Sequence, residues 1–362
     1  MKFNKFAFCA TLLALTLTAC TGNNNSQTKS DEPSVPSEPP APDNRVNVFV
    51  LSGQSNMEGN TSFKNGDTDL LANAFQELGL DDAQICYDGI ADVQTSIYCC
   101  GYGELDRNNL TNNRNVKATN SENQIQGKFV DTKVGLGTST SKMGPEMGAA
   151  YGLHASGLID AEKPVFFIKM ASNGSGFAQS GTEYNWPVFD ENGNMPEVNL
   201  YSTFAKPFID NNLENIKELG FEPVIRGWLW HQGESDSATE KIRVYAERLG
   251  NMVQQFRNDY AEYALDGDGE NIAFIDGMIY QGSGTAWGAQ TSKDMNAEKQ
   301  KFADSADNNF LVDIYANEDQ IPENELKPGN PGGDSMHYNT ISSLRLGMAY
   351  AKIIVDNFLL EF

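Results

Sequence analysis

Val48-Phe49-Val50-Leu51-Ser52-Gly53-Gln54-Ser55-Asn56-Met57 is an apolar, β-branched run that stops abruptly in a small polar turn carrying a serine. Such a run reads as a strand buried on both faces of a parallel sheet, and the carboxyl end of such a strand is where open α/β sheets hold their ligands. Gly53 permits a sharp turn, so Ser55 is expected at the start of a helix with its hydroxyl in a crevice. A serine there is equally a helix cap or a turn residue, so this stretch alone specifies a strand and a turn rather than a chemistry.

Working outward, further apolar runs at Pro164–Met170, Val224–Trp230, Ile272–Ile279 and Phe310–Ile314 read as strands alongside Val46–Leu51. Helical patterns fall between and after them, at Pro145–Ser156, Thr203–Leu219, Thr239–Tyr263, Ser292–Ala306 and Thr340–Leu360. Alternating strands and helices predict an α/β protein, a three-layer α/β/α sandwich around a five-stranded parallel sheet.

A serine nucleophile needs a base, and the base needs a partner for its other ring nitrogen. The chain has only three histidines, His154, His231 and His337. Gly332-Gly333-Asp334-Ser335-Met336-His337 sets an aspartate three residues before the last of them, a spacing that lets the carboxylate hold the imidazole while the far nitrogen faces a serine. His231 follows a strand-like run but has no aspartate at that spacing, although Glu234 follows it, and His154 reads as a helix-end residue. Ser335 imitates a Gly-Asp-Ser nucleophile but no apolar strand precedes it, and no Gly-x-Ser-x-Gly elbow is present.

Gly53-Gln54-Ser55-Asn56-Met57, Gly144-Pro145-Glu146, Trp230-His231-Gln232-Gly233-Glu234-Ser235-Asp236 and Asp334-Ser335-Met336-His337 follow one another in this order. In that order they resemble the sialate O-acetylesterase and acetylxylan esterase branch of the SGNH hydrolases, over Arg45 to Phe362. The resemblance implies a flavodoxin-like fold and a carbohydrate O-acetylesterase working without a cofactor. It implies Ser55 as nucleophile, His337 as base and Asp334 as its orienter. The oxyanion would be held by the Ser55 N–H, an N–H near Gly174 and the Gln232 amide, one such donor contributing roughly 3–4 kcal/mol. Gln54, Asn56, Glu146, His231 and Glu234 would support the site or touch substrate.

Glu146 and Glu234 could also be read as a glycosidase carboxylate pair, but in a chain with 49 acidic residues such pairs arise by chance. Asp266-Gly267-Asp268-Gly269-Glu270 begins like a calcium loop, yet Asn271 and Gly277 stand where the glycine and the terminal glutamate are required, so it reads as a solvated turn and no metal is expected. Trp186, Trp230, Tyr280, Trp287 and Tyr338 could line a sugar site, with Trp287 favoured by its glycine-rich surroundings.

The first residues are cationic and run into a short apolar stretch ending Leu17-Thr18-Ala19-Cys20, an export signal over residues 1–19. Its last four residues resemble a bacterial lipoprotein cleavage box, which implies lipidation of Cys20 and a place in the cell envelope. Residues 20–44, rich in Asn, Ser, Glu and Pro, bury too little to fold and are expected to be a tether. One esterase domain over 45–362 follows, with a polar insert at about 60–142. The insert holds Cys86, Cys99 and Cys100, and a bridge from Cys86 to one of the other two is expected, the adjacent pair being the alternative. A net charge of −23 leaves no basic face for nucleic acid. Two other functions compete: a non-catalytic glycan-binding lipoprotein on an esterase scaffold, and a longer-chain lipase or thioesterase. Retention of Ser55, Asp334, His337 and Gln232 together opposes the first, and polar loops around Ser55 oppose the second.

Overall fold

In the central strand β1 (Arg45–Gly53), side chains alternate between two buried faces. Val46, Val48 and Val50 enter one apolar cluster, and Phe49 and Leu51 enter the other. A strand can do this only when helices cover both sides of its sheet, as a period-2 side-chain pattern with no polar face demands. The computed structural model describes residues 43–99, 127–178, 184–281, 288–313, 328–330 and 334–359.

After β1 come the one-turn helix α1 (Ser55–Glu58), α2 (Leu70–Leu78), β2 (Ile90–Cys99), β3 (Val130–Thr132), α3 (Pro145–Ser156) and β4 (Val165–Ala171). Then follow α4 (Lys206–Glu218), β5 (Glu222–His231), α5 (Tyr245–Asp259), β6 (Ala273–Gly277), α6 (Ala289–Ala303) and β7 (Asn309–Val312). A hairpin of β8 (Pro328–Asn330) and β9 (Asp334–Tyr338) leads into α7 (Thr340–Asn357). The sheet runs β7-β6-β5-β1-β4-β2-β3, parallel throughout except for the edge strand β3. The five expected strands are β1, β4, β5, β6 and β7, in the flavodoxin-like spatial order.

Two strands exceed the expectation, and both come from the segment read as an insert. Residues 90–99 pair in parallel with β4, Val93 against Val165 and Cys99 against Ala171. Their residues Ile90, Val93 and Ile97 are buried, but interleaved Gln94, Thr95 and Ser96 hide the strand from an apolar-run criterion. The sheet therefore has seven strands rather than five. Cys86 is a free thiol, wholly buried in the core beside this strand, which removes it from the expected bridge. Burial pushes that thiol up to about 12, so it behaves as a small apolar side chain.

On one face α4 and α5 contribute Phe208, Ile209, Leu213, Leu249, Met252 and Phe256 to the core. On the other, α3 and α7 contribute Met147, Leu153, Leu344, Tyr350 and Ile354. Helices α3 and α7 cross at glycines: a Cβ on Gly347 would lie 2.0 Å from Pro145 O, and one on Gly148 2.2 Å from Leu344 O. That close crossing fixes α7 to the sheet, and with it the hairpin carrying Asp334 and His337.

Candidate active site

Gly53 ends β1 with φ at 145° and its backbone so near β5 that a Cβ would lie 2.0 Å from His231 O. Only glycine tolerates both conditions. The Gln54 N–H then donates to His231 O at 3.0 Å, and the chain turns into α1 with Ser55 as its first residue. As a first-turn group, the Ser55 N–H has no acceptor within its own helix.

Asp334 and His337 sit on β9. Asp334 Oδ1 accepts from the N–H groups of Met336 at 2.9 Å and His337 at 3.2 Å, and Oδ2 lies 2.7 Å from His337 Nδ1. Partial burial pushes the Asp334 carboxyl up, but these donors outweigh it and leave the group lowered. An ionised carboxylate only accepts, so His337 Nδ1 donates the proton of that bond and Nε2 is the ring nitrogen left for the cleft. Ser55 and His337 line one cleft of about 360 Å³ together with Gln54, Asn173, Gly174, Glu234, Ser235 and Met336.

Asn56 ties the two ends of the chain across this cleft. Its Oδ1 accepts from the N–H of Tyr338, the residue after His337, at 3.1 Å, and its Nδ2 donates to Glu234 Oε1 at 2.8 Å. Burial alone would push the Glu234 carboxyl up; the His231 ring at 3.5 Å and the Asn56 amide hold the anion instead, and it falls to about 2. Glu234 is therefore a fixed charge at the base of the cleft.

Gln232 is placed differently from the expectation. It is fully buried and does not line the cleft. Its Nε2 donates to Asp236 Oδ2 at 2.8 Å and is shared between Gln54 Oε1 at 3.2 Å and Ser175 O at 3.4 Å, while its Oε1 accepts from Tyr245 Oη at 2.9 Å. With its protons engaged, it supports the site from below. The amide that faces the cleft belongs to Gln54. Gln54 Oε1 also accepts the Ser235 N–H at 3.1 Å; a backbone N–H can only donate, so the oxygen is the end taken up by these two bonds and the NH₂ group is the end they leave over.

His231 is wholly buried, with Nε2 3.5 Å from Glu234 Oε1. His154 pairs with Asp92 Oδ2 at 2.7 Å, away from the residues lining the cleft. Glu146 is fully buried, accepts from the Gly144 N–H at 2.9 Å and faces Lys169. Trp186, Trp230 and Tyr338 are core residues and not sugar platforms, and Trp287 and Cys20 lie outside the described residues. Around Asp268 the chain makes short turns in which the aspartate caps Glu270 N–H at 3.0 Å. Asn173, Ser235 and Met336 also line the cleft, beyond the residues that the sequence points to. Asn173 shares the glycine turn with Gly174, and that proximity to a candidate N–H donor was the available signal.

The family model described as carbohydrate esterase, sialic acid-specific acetylesterase matches residues 45–356. No curated protein matches the chain. Among solved structures, a protein from Arabidopsis thaliana is 17% identical with a TM-score of 0.50, covering 88% of this chain and 100% of its own. At that identity it speaks for the fold alone. NanS (13% identity, TM-score 0.48, covering 87% and 98%) and a carbohydrate acetylesterase from Xanthomonas citri (15%, 0.46, covering 86% and 57%) are also similar.

Proposed function

The chain belongs to the sialic acid-specific acetylesterase family of carbohydrate esterases, and from that premise we propose that it removes O-acetyl groups from sugars through an acyl-enzyme on Ser55. In this reading Ser55 Oγ attacks the acetyl carbonyl while His337 Nε2 takes its proton. The tetrahedral oxyanion rests on the Ser55 and Gly174 N–H groups and on the Gln54 amide. Collapse breaks the ester C–O bond, and His337 returns the proton to the departing sugar oxygen. Water then attacks the acetyl-serine, gives its proton to His337 and releases acetate and free Ser55. Asp334 holds the Nδ1 proton throughout and stabilises the imidazolium.

The observation that supports this most directly is the shared cleft of Ser55 and His337, with Asp334 2.7 Å behind the imidazole. The Gln54 donor gains from its surroundings: Gln232 and Ser235 N–H both donate to its carbonyl, and hydrogen bonding at an amide oxygen polarises the amide N–H. Met336 is the one apolar side chain among the described lining residues, which favours a short acyl group in a polar rim. Lipidation of Cys20 and a cell-envelope location belong to the same proposal, supported by Leu17-Thr18-Ala19-Cys20, and the mass of the mature N-terminus tests them. The deciding experiment for activity is acetate release from a panel of acetylated sugars beside short and long chromogenic esters. Release by the wild-type protein that vanishes in Ser55→Ala supports the reading; equal release by both ends it.

A further inference from the structure

Lys169 stands on β4 beside Leu51 of β1, with no solvent exposure at all. A buried ammonium is retained only where acceptors and a counter-charge replace water. Here Nζ faces Glu146 Oε2 at 2.9 Å and donates to Leu136 O at 2.7 Å and to Glu58 O at 3.0 Å. The last contact connects this buried pair to the site, because Glu58 is the final residue of α1.

A four-residue helix cannot hold itself together. The backbone bonds of α1 run from Met57 and Glu58 N–H to Gln54 O and from Gly59 N–H to Ser55 O, and the Glu58 carbonyl is left at the C-terminal end, where a cation is favoured. At the other end Asn56 clamps the turn to Glu234 and Tyr338. The helix bearing the nucleophile is thus held from the front by Asn56 and from beneath by Lys169. Leu136 and Gly144, bound by Lys169 and its partner Glu146, belong to the chain segments packed against α1, where a Cβ on Gly144 would come within 2.9 Å of Met57 O.

We infer that Lys169 is a positioning residue: with Glu146 as its counter-ion, it anchors the C-terminal carbonyl of α1 and so sets the place of the Ser55 hydroxyl. The kinetic part of this inference rests on the esterase reading; the structural part does not. Lys169→Met alone strands the Glu146 charge, so the informative protein is Lys169→Met/Glu146→Gln, which neutralises the pair and keeps an acceptor for the Gly144 N–H. Removing a buried ion pair as a unit is often neutral for stability, so this variant is expected to melt near the wild-type temperature. Hydrogen exchange at the amides of Met57, Glu58 and Gly59 is expected to quicken by at least about tenfold, with β1 and β4 unchanged. The kcat for acetate release is expected to fall by about 100-fold with KM nearly unchanged, the signature of a displaced nucleophile rather than a lost binding contact.

Wild-type exchange in α1, or kcat within about threefold of wild type in a folded double variant, overturns the inference. If the wild-type protein releases no acetate, exchange still decides the anchor, and the esterase reading falls separately. If the double variant does not fold, the same two measurements on Lys169→Gln, which keeps one amide donor, decide in its place.

Discussion

His337 and His231 both stand on β-strands near a carboxylate, yet the molecule treats them in opposite ways. The His337 side chain is 16% exposed, borders the cleft and has Asp334 at 2.7 Å on Nδ1. The His231 side chain is fully buried, its nearest carboxylate oxygen is 3.5 Å away, and its ring packs 5.4 Å from Tyr338. A base needs an orienting partner on one nitrogen and substrate access on the other. Only the hairpin histidine has both, while the strand-end histidine is enclosed beside Glu234 and Tyr338.

The largest expected effect tests that contrast directly. His337→Ala is expected to lower kcat by about 10⁴-fold or more, the scale of losing a triad member, whereas His231→Ala is expected to act mainly on stability. Steady-state kinetics and melting of the two variants read this out, and comparable losses of kcat in folded proteins would erase the distinction. Gln54→Leu comes next, at about 10²–10³-fold in kcat for one missing oxyanion donor. Gln232→Leu acts through Gln54, so it should cost less and should add little to Gln54→Leu; additive losses would return the donor role to Gln232.

The smallest effect concerns the carboxylate beside His231. Glu234 is lowered from 4.5 to about 2, so its contribution to stability is present above pH 4.5 and is lost as pH falls from 4.5 towards 2. Glu234→Gln is expected to flatten the melting temperature against pH over that window. An unchanged slope would mean that Glu234 carries no charge there. Asp334 shares the direction of shift, but it is more exposed and solvent-screened, so Asp334→Asn should flatten the same profile less while costing far more in kcat.

The architecture was legible because alternating buried strands and amphipathic helices carry their periodicity in local sequence. Pro145–Ser156 was readable to the residue, since Pro145 stands at the first turn and Gly157 ends the helix in the left-handed region. Residues 90–99 were not readable, because Gln94, Thr95 and Ser96 interrupt the apolar pattern; the edge strand then bonds two of them, Gln94 Nε2 to Asp131 Oδ1 and Thr95 Oγ1 to Thr132 Oγ1 at 2.6 Å. The bridge expected at Cys86 failed for a related reason: cysteine spacing says nothing of which thiols the core encloses.

By itself the amino-acid order determined a strand ending in Gly53 and Ser55, an aspartate three residues before His337, and an α/β chain to carry them, because each is a relation among neighbours. Tertiary structure alone decided that His337 and not His231 shares a cleft with Ser55, that Gln54 and not Gln232 lines it, and that Lys169 reaches the end of the helix that begins at Ser55. Those outcomes depend on partners 178 residues away for Gln54 and Gln232, and 111 away for Glu58 and Lys169. Burial and hydrogen-bond satisfaction are settled only when such distant groups meet, so no local pattern records them.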